Sequence, residues 1–202
     1  MRTARYTALT AAIAAAAVAT PAVAGVTGFA TTVEAFNQGL KKNGGAVDGD
    51  RSHASSALFA PQLTNNVNFV SLGMGGSITL SFDNLFTDHV TVWETTYNNP
   101  AGHYETADLW VGYGSTAESA SWWLVGEIEN TDDGLPMSLD DVSLTAGRET
   151  FSYVRIVDTT PGNSSSYDGF DLDGVSTNLV PSPGPVALAA LGGFAMTTRR
   201  RR

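Results

Sequence analysis

From residue 67 to residue 176 the chain is written in short runs that alternate polar and apolar residues. That period of two is the signature of half-buried strands, and it constrains the fold more than any other feature. "SITLSF" puts Ile78, Leu80 and Phe82 on one face, and "HVTVWET" aligns Val90 and Val92 with Thr91 and Trp93 opposite. "DLWVGY" repeats the pattern with Leu109, Val111 and Tyr113. "SWWLVGEI" sets Trp122, Leu124 and Ile128 against Trp123 and Val125. "FSYVRIVD", with Val154 and Ile156, is apolar on nearly both faces, as a central strand would be. "GFDLDGV" ends the series with Phe170 and Leu172 expected inward and Asp171 and Asp173 outward. Between the runs stand "GMGG", "NNPAG", "TDDGLP" and "TPGNSSS", which are turn and loop chemistry.

No long amphipathic helix interrupts this text, and only short helical turns are expected, near "HASSALFA" and "SLDDVS". Many short strands at even spacing predict an all-β domain, an antiparallel β-sandwich or jelly roll. Ile78, Leu80, Phe82, Val90, Val92, Leu109, Val111, Val154, Ile156, Phe170 and Leu172 are its expected core. There is no internal repeat.

The two ends read differently. "MRTARYTALTAAIAAAAVATPAVAG" offers Arg2 and Arg5, an apolar run and Ala22-Val23-Ala24, the order of a secretory signal peptide cleaved after Ala24. The expected organisation is a signal peptide over residues 1–24, a β-sandwich domain over 25–179 and a terminal segment over 180–202. That segment, "VPSPGPVALAALGGFAMTTRRRR", sets a proline hinge before eleven mostly apolar residues, 186–196, and then Arg199, Arg200, Arg201 and Arg202. The run is short for a membrane helix, which wants about 20 residues. Basic residues directly after an apolar segment hold that end in the cytoplasm, so the domain before it is expected outside.

Six of the eleven basic residues belong to these ends, which leaves Lys41, Lys42, Arg51, Arg148 and Arg155 against twenty acidic residues, a charge of −15. Such a surface repels phosphate backbones, which argues against nucleic acid as a partner. The chain has no cysteine, so thiol catalysis, zinc-thiolate sites and iron–sulfur clusters are excluded. A domain of about 150 residues can bury enough apolar surface without disulfides.

The tail resembles the PEP-CTERM sorting signal. In that family a V-P-E-P motif, an apolar helix and an arginine cluster are handled by exosortase-type membrane proteases of exopolysaccharide-producing Gram-negative bacteria. Val180, Pro181 and Pro183 match the motif, and Ser182 stands where the acidic residue is usual. The resemblance implies an exosortase-type protease as partner and transient anchoring in the inner membrane before release to the surface. The blocks "VNFVSLGMGGSITLSFDN", "ETADLWVGYGS", "YVRIVDTT" and "DGFDLDGVS" also resemble a family of secreted β-sandwich proteins that often carry such a tail. Gly174 replaces that family's usual alanine. This likeness implies a jelly-roll surface protein and little chemistry.

Candidate site residues follow from oxygen density. Asp168, Asp171 and Asp173 crowd the last run, and Asp48 and Asp50 sit at alternate positions in "VDGDRS". If that loop meets the last strand, the five carboxylates could hold a structural calcium, which takes six to eight oxygens. The other readings are a solvated turn with an ion pair to Arg155, or catalysis. Trp93, Trp110 and Trp123 are candidate ligand-binding residues, because exposed tryptophans stack on sugars. Trp122 and Trp123, being adjacent, must face opposite ways on a strand.

His53, His89 and His103 show no zinc-binding spacing, and no G-x-S-x-G elbow occurs. A glycosidase would need two carboxylates flanking a cleft, and Glu127 with Glu129, or Glu94 with Glu105, could serve. Three functional classes remain: a non-enzymatic surface or matrix protein that binds extracellular polysaccharide, a matrix component without a defined ligand, and a secreted polysaccharide hydrolase.

Overall fold

The computed structural model describes residues 25–62, 68–96 and 103–181. The expected signal peptide, Pro183, the apolar run and the arginine cluster lie outside the described residues. No helix among the described residues is long and apolar enough to cross a membrane.

Among the described residues the chain forms nine strands and one helix: β1 (Val26–Phe29), β2 (Thr32–Asn37), β3 (Val70–Ser71), β4 (Ser77–Glu94), β5 (Thr106–Tyr113), β6 (Ser121–Glu129), β7 (Pro136–Ser138), α1 (Asp140–Ala146), β8 (Phe151–Asp158) and β9 (Asp171–Leu179). Single 3-10 turns occupy Gly49–Arg51 and Ala54–Ala57. The second of these and α1 fall where short helical turns were expected. Every strand pairing is antiparallel. The fold is all-β and sandwich-like.

The organising element is β4. "SITLSF" and "HVTVWET" read as separate strands, yet they run on as one strand of 18 residues. Its first part, Ser77 to Ser81, pairs with β2 and β8, and β8 continues to β5 and β6. Its later part pairs with β9 and β7, and β9 continues to β1 and β3. Register breaks fall between Ser81 and Phe86 and between Thr87 and Val90, and Asp88 takes a left-handed φ of 67°. Bulges of this kind bend a strand and let it serve two layers.

The two halves bury one apolar cluster between them. Ile78, Leu80, Leu109, Val111, Val154 and Ile156 come from one half, and Val90, Val92, Leu172 and Val175 from the other. Of the expected core residues only Phe82 is not buried. It sits at the bend of β4 and packs edge-on against Phe86, with ring centroids 5.1 Å apart.

The outward placing of Asp171 and Asp173 needs correction: they are 3% and 4% exposed. The turn at Ala54–Ala57 and the segment after it lie over that face of β9: the Gln62 N–H reaches Asp173, Phe59 and Pro61 lie against Gly174, and the Ser71 hydroxyl reaches Asp171.

Glycines fix one end of the domain. In the "GMGG" turn, a Cβ on Gly76 would lie 1.8 Å from the Leu72 carbonyl oxygen, and one on Gly39 would lie 2.3 Å from that of Met74. Gly39 and the turn pack backbone on backbone, joined by Gly39 N–H to Leu72 O (2.8 Å) and Met74 N–H to Leu40 O (2.8 Å). The same turn donates Gly73 N–H to Asp168 O (2.8 Å), which brings the early loop and the start of β9 to one place.

Candidate functional site

Glu94 ends β4 on the face of Val90 and Val92, and Glu105 immediately precedes β5 on the face of Ala107 and Leu109. Asp171 opens β9. Carboxylate oxygens from these three residues lie within 4.8 Å of one another. They close one end of the core, and none is open to water: Glu94 is 7% exposed, Glu105 1% and Asp171 3%.

The cluster is poorly satisfied. Thr96 Oγ1 donates to Glu94 Oε2 (2.7 Å), and the Ser71 hydroxyl donates to Asp171 Oδ1. Among the described residues, Glu94 Oε1 and both Glu105 carboxylate oxygens lack a well-formed hydrogen bond, although the Ser166 hydroxyl and the two acids themselves are near enough to interact. His103 points at the same place, with Nε2 3.1 Å from Glu105 Oε1 and its side chain 9% exposed. Neither of its ring nitrogens makes a well-formed hydrogen bond among the described residues.

Burial dominates the electrostatics. It is the main reason that the Glu94 carboxyl stands at about 8 and the Glu105 carboxyl at about 9. Hydrogen bonds from Thr96 and Glu105 pull Glu94 down, and Asp171 and Asp133 push it up. Ser166 pulls Glu105 down, and Glu94 and Asp168 push it up. Burial also raises Asp171 well above the ordinary carboxylate range, helped by Glu105 and Asp168. The His103 imidazole is held down by burial, against a smaller pull upward from Asp168. A buried charge without a partner is expensive, so three carboxyls at this spacing need protons or a cation. Glu94 also lines a polar cleft of about 230 Å³ with Gln62, Thr95, Thr96, Asn130, Asp133 and Asp173.

Of the other residues expected at a metal site, Asp48 and Asp50 are placed apart from this trio, whereas Asp168 shares the Ser71 hydroxyl with Asp171 and Asp173 lines the cleft beside Glu94. The "VDGDRS" loop does meet the start of β9, but the join is an ion pair, Arg51 Nη1 to Asp168 Oδ2 at 3.0 Å. Asp48 is turned outward and paired with Lys41, and Asp50 is exposed. Asp173 accepts from the Gln62 N–H (2.9 Å). Of the five expected carboxylates only Asp171 belongs to the cluster. Arg155 is not the partner of the aspartates; its Nε donates to Thr79 Oγ1 (3.1 Å).

Arg155 belongs instead to a second feature, the outer face of β8, β5 and β6. Leu109, Val111, Val154 and Ile156 point into the core, so Trp110, Gly112, Tyr153 and Arg155 point out. Across the strands Trp110 faces Leu124 and Arg155, while Gly112 faces Trp122 and Tyr153. Trp122 lies over Gly112, where an added Cβ would meet its ring at 2.7 Å. The Arg155 guanidinium stacks 3.8 Å from the same ring. The result is a plateau of two half-buried indoles, the 47%-exposed Leu124 and a flat cation.

Trp123 faces the other way and packs edge-on against Phe151 in the core (5.9 Å). Trp93 stands apart from the plateau, 5.8 Å from Phe29 and beside Gly134. Sequence reasoning had the opposed faces of Trp122 and Trp123 but assigned ligand contact to the inward one. The signal that separates them is the bulge between Leu109 and Trp110 in the β5–β6 register. The Glu127 and Glu129 pair flanks no buried centre: Glu127 is exposed, and Glu129 accepts from the Tyr104 hydroxyl (2.8 Å).

No protein-family model matches this chain, and no curated protein matches it.

Proposed function

We propose that this chain is an exported, non-enzymatic cell-surface or extracellular-matrix protein that binds polysaccharide on the outer face of β5, β6 and β8. Export rests on the leader-like N-terminus and on the tail's resemblance to a PEP-CTERM signal, with an exosortase-type protease as processing partner and the inner membrane as transient anchor. The sandwich-like pairing is compatible with the jelly roll expected of such surface proteins.

One observation carries the binding reading: Trp110, Trp122 and Leu124 face outward, where a solvated sheet would carry polar side chains. Flat indole faces present large apolar area at low conformational cost, and the apolar C–H faces of pyranose rings stack on them. Arg155, held against Trp122 and Thr79, adds hydrogen-bond donors for ring hydroxyls. The strongly acidic domain disfavours polyanions, which points to neutral polysaccharides.

The burial of Glu105 speaks against the hydrolase alternative. A glycosidase acid must reach the glycosidic oxygen, and a side chain 1% exposed does not.

A glycan array on the full chain and on the Trp110→Ala/Trp122→Ala variant tests the proposal. Stacking is worth about 0.5–1.5 kcal/mol per aromatic contact, so the double variant should bind roughly 5- to 150-fold more weakly. Equal binding by both proteins, or none by the wild type, would refute it.

A further inference from the structure

We infer that Glu94, Glu105 and Asp171 ligate one calcium ion at the end of the core, with His103 holding Glu105 in place from outside the ligand set. The three carboxylates supply up to six oxygens, the lower end of calcium's coordination number. Two oxygens opposite each other on calcium are about 4.6–5.2 Å apart, from bond lengths of 2.3–2.6 Å. Carboxylate oxygens already within 4.8 Å of one another therefore need little movement.

A separate observation points to a ligand. The His103 side chain is 9% exposed and directed at Glu105, and neither of its nitrogens has a hydrogen-bond partner among the described residues. A fully satisfied acidic core would not leave an imidazole and three carboxylate oxygens without well-formed hydrogen bonds. A cation engages those oxygens, and Glu105, once ligating, becomes a fixed acceptor for the Nε2–H of His103. Outer hydrogen bonds of this kind orient metal-binding carboxylates.

The donor set favours calcium over softer ions. It is carboxylate without thiolate, and oxygen-rich sites suit hard cations. The cleft beside Glu94, walled also by Asp133 and Asp173, gives an acidic way in from solvent. The ion would tie the two ends of the β4–β5 connection to the start of β9, which is far away in sequence.

The test uses the full chain, stripped with EDTA and dialysed against calcium, magnesium or manganese. The wild type should retain one calcium per chain and melt several degrees higher with calcium than without. Glu105→Gln should remain folded, because the amide keeps the shape of the acid and brings no charge into the buried site. It should bind calcium at least ~100-fold more weakly, beyond what changes to outer partners usually cost, and its melting should ignore calcium. Asp48→Asn/Asp50→Asn should bind as the wild type does. If Glu105→Gln fails to fold by circular dichroism, Glu94→Gln is read in its place, with the same expected loss. Calcium retention by the Gln variant, loss of binding in the Asp48/Asp50 variant, preference for magnesium or manganese, or no retained calcium would each overturn the assignment.

Discussion

Asp158→Ala should destabilise the domain by about 3–6 kcal/mol, enough to unfold much of the population of a marginally stable protein. Asp158 ends β8, is 3% exposed, and joins two distant stretches of chain. Its Oδ2 accepts the Gly75 N–H (2.8 Å) from the glycine turn, and its Oδ1 accepts the Phe170 N–H (2.8 Å) ahead of β9. The Thr160 hydroxyl donates to Oδ1 as well (2.6 Å). Hydrogen bonds to a charged group contribute about 1.5–3 kcal/mol each, and an orphaned buried N–H costs about 1–3 kcal/mol. Alanine removes three such bonds and leaves the donors without a partner. Asp158→Asn should recover only part of the loss, since its amide NH2 must face one of the donors. Urea denaturation of the three proteins measures this, and a loss below about 1 kcal/mol for alanine would show that the turn and β9 are held by something else.

The second large effect is pH-dependent. In the cation-free protein, Glu94 and Glu105 hold their protons up to about 8 and about 9, against an ordinary value of 4.5. The folded state then binds more protons than the unfolded state between these limits, so stability falls as pH rises. The contribution is complete below about 4.5, declines through the window and is gone above about 9. Asp171, raised in the same direction, adds to the slope. His103 works oppositely at the acid end, because burial holds its folded value below 6.5 and protonation in that range favours unfolding. The charges around the cluster are Asp168, Asp133 and Arg51. The stability of EDTA-treated protein, read by urea denaturation, should therefore fall steadily from about pH 6.5 to pH 9 by an amount on the order of a few kcal/mol, and its melting temperature should fall with it. Calcium should flatten that decline, since the ion replaces the protons. A melting temperature that rises over this range without calcium would contradict the burial of the cluster.

Much of the strand content was written in the period-two pattern, and ten of eleven expected core residues are buried because alternation alone assigns a face. The pattern failed where tertiary pairing overrides local text. "FDNLFTD" carries the polar residues of a turn, yet bulges absorb Asn84 and Asp88 within β4. Asp171 and Asp173 read as solvent-facing because alternation cannot tell a covered strand from an exposed one.

The candidate cluster was legible only in pieces. Asp171 stood out in "DGFDLDG", and Glu94 with Glu105 was one of several acidic pairs. Only the pairing of β4 with β9 and the placement of β5 bring positions 94, 105 and 171 together. His103 offered no spacing motif, and its role depends wholly on that meeting. Asp158 was visible as the last letter of "YVRIVD", but its function as a backbone acceptor belongs to the turn it reaches.

The claim that this end of the core is a calcium centre is tested most directly by a crystal structure of the full chain grown with calcium, with long-wavelength anomalous differences used to locate the ion. The account predicts one peak about 2.3–2.6 Å from carboxylate oxygens of Glu94, Glu105 and Asp171, with His103 donating to Glu105. A peak in the loop of Asp48 and Asp50, or a cluster closed by protons shared between Glu94 and Glu105 with no ion among them, would contradict it.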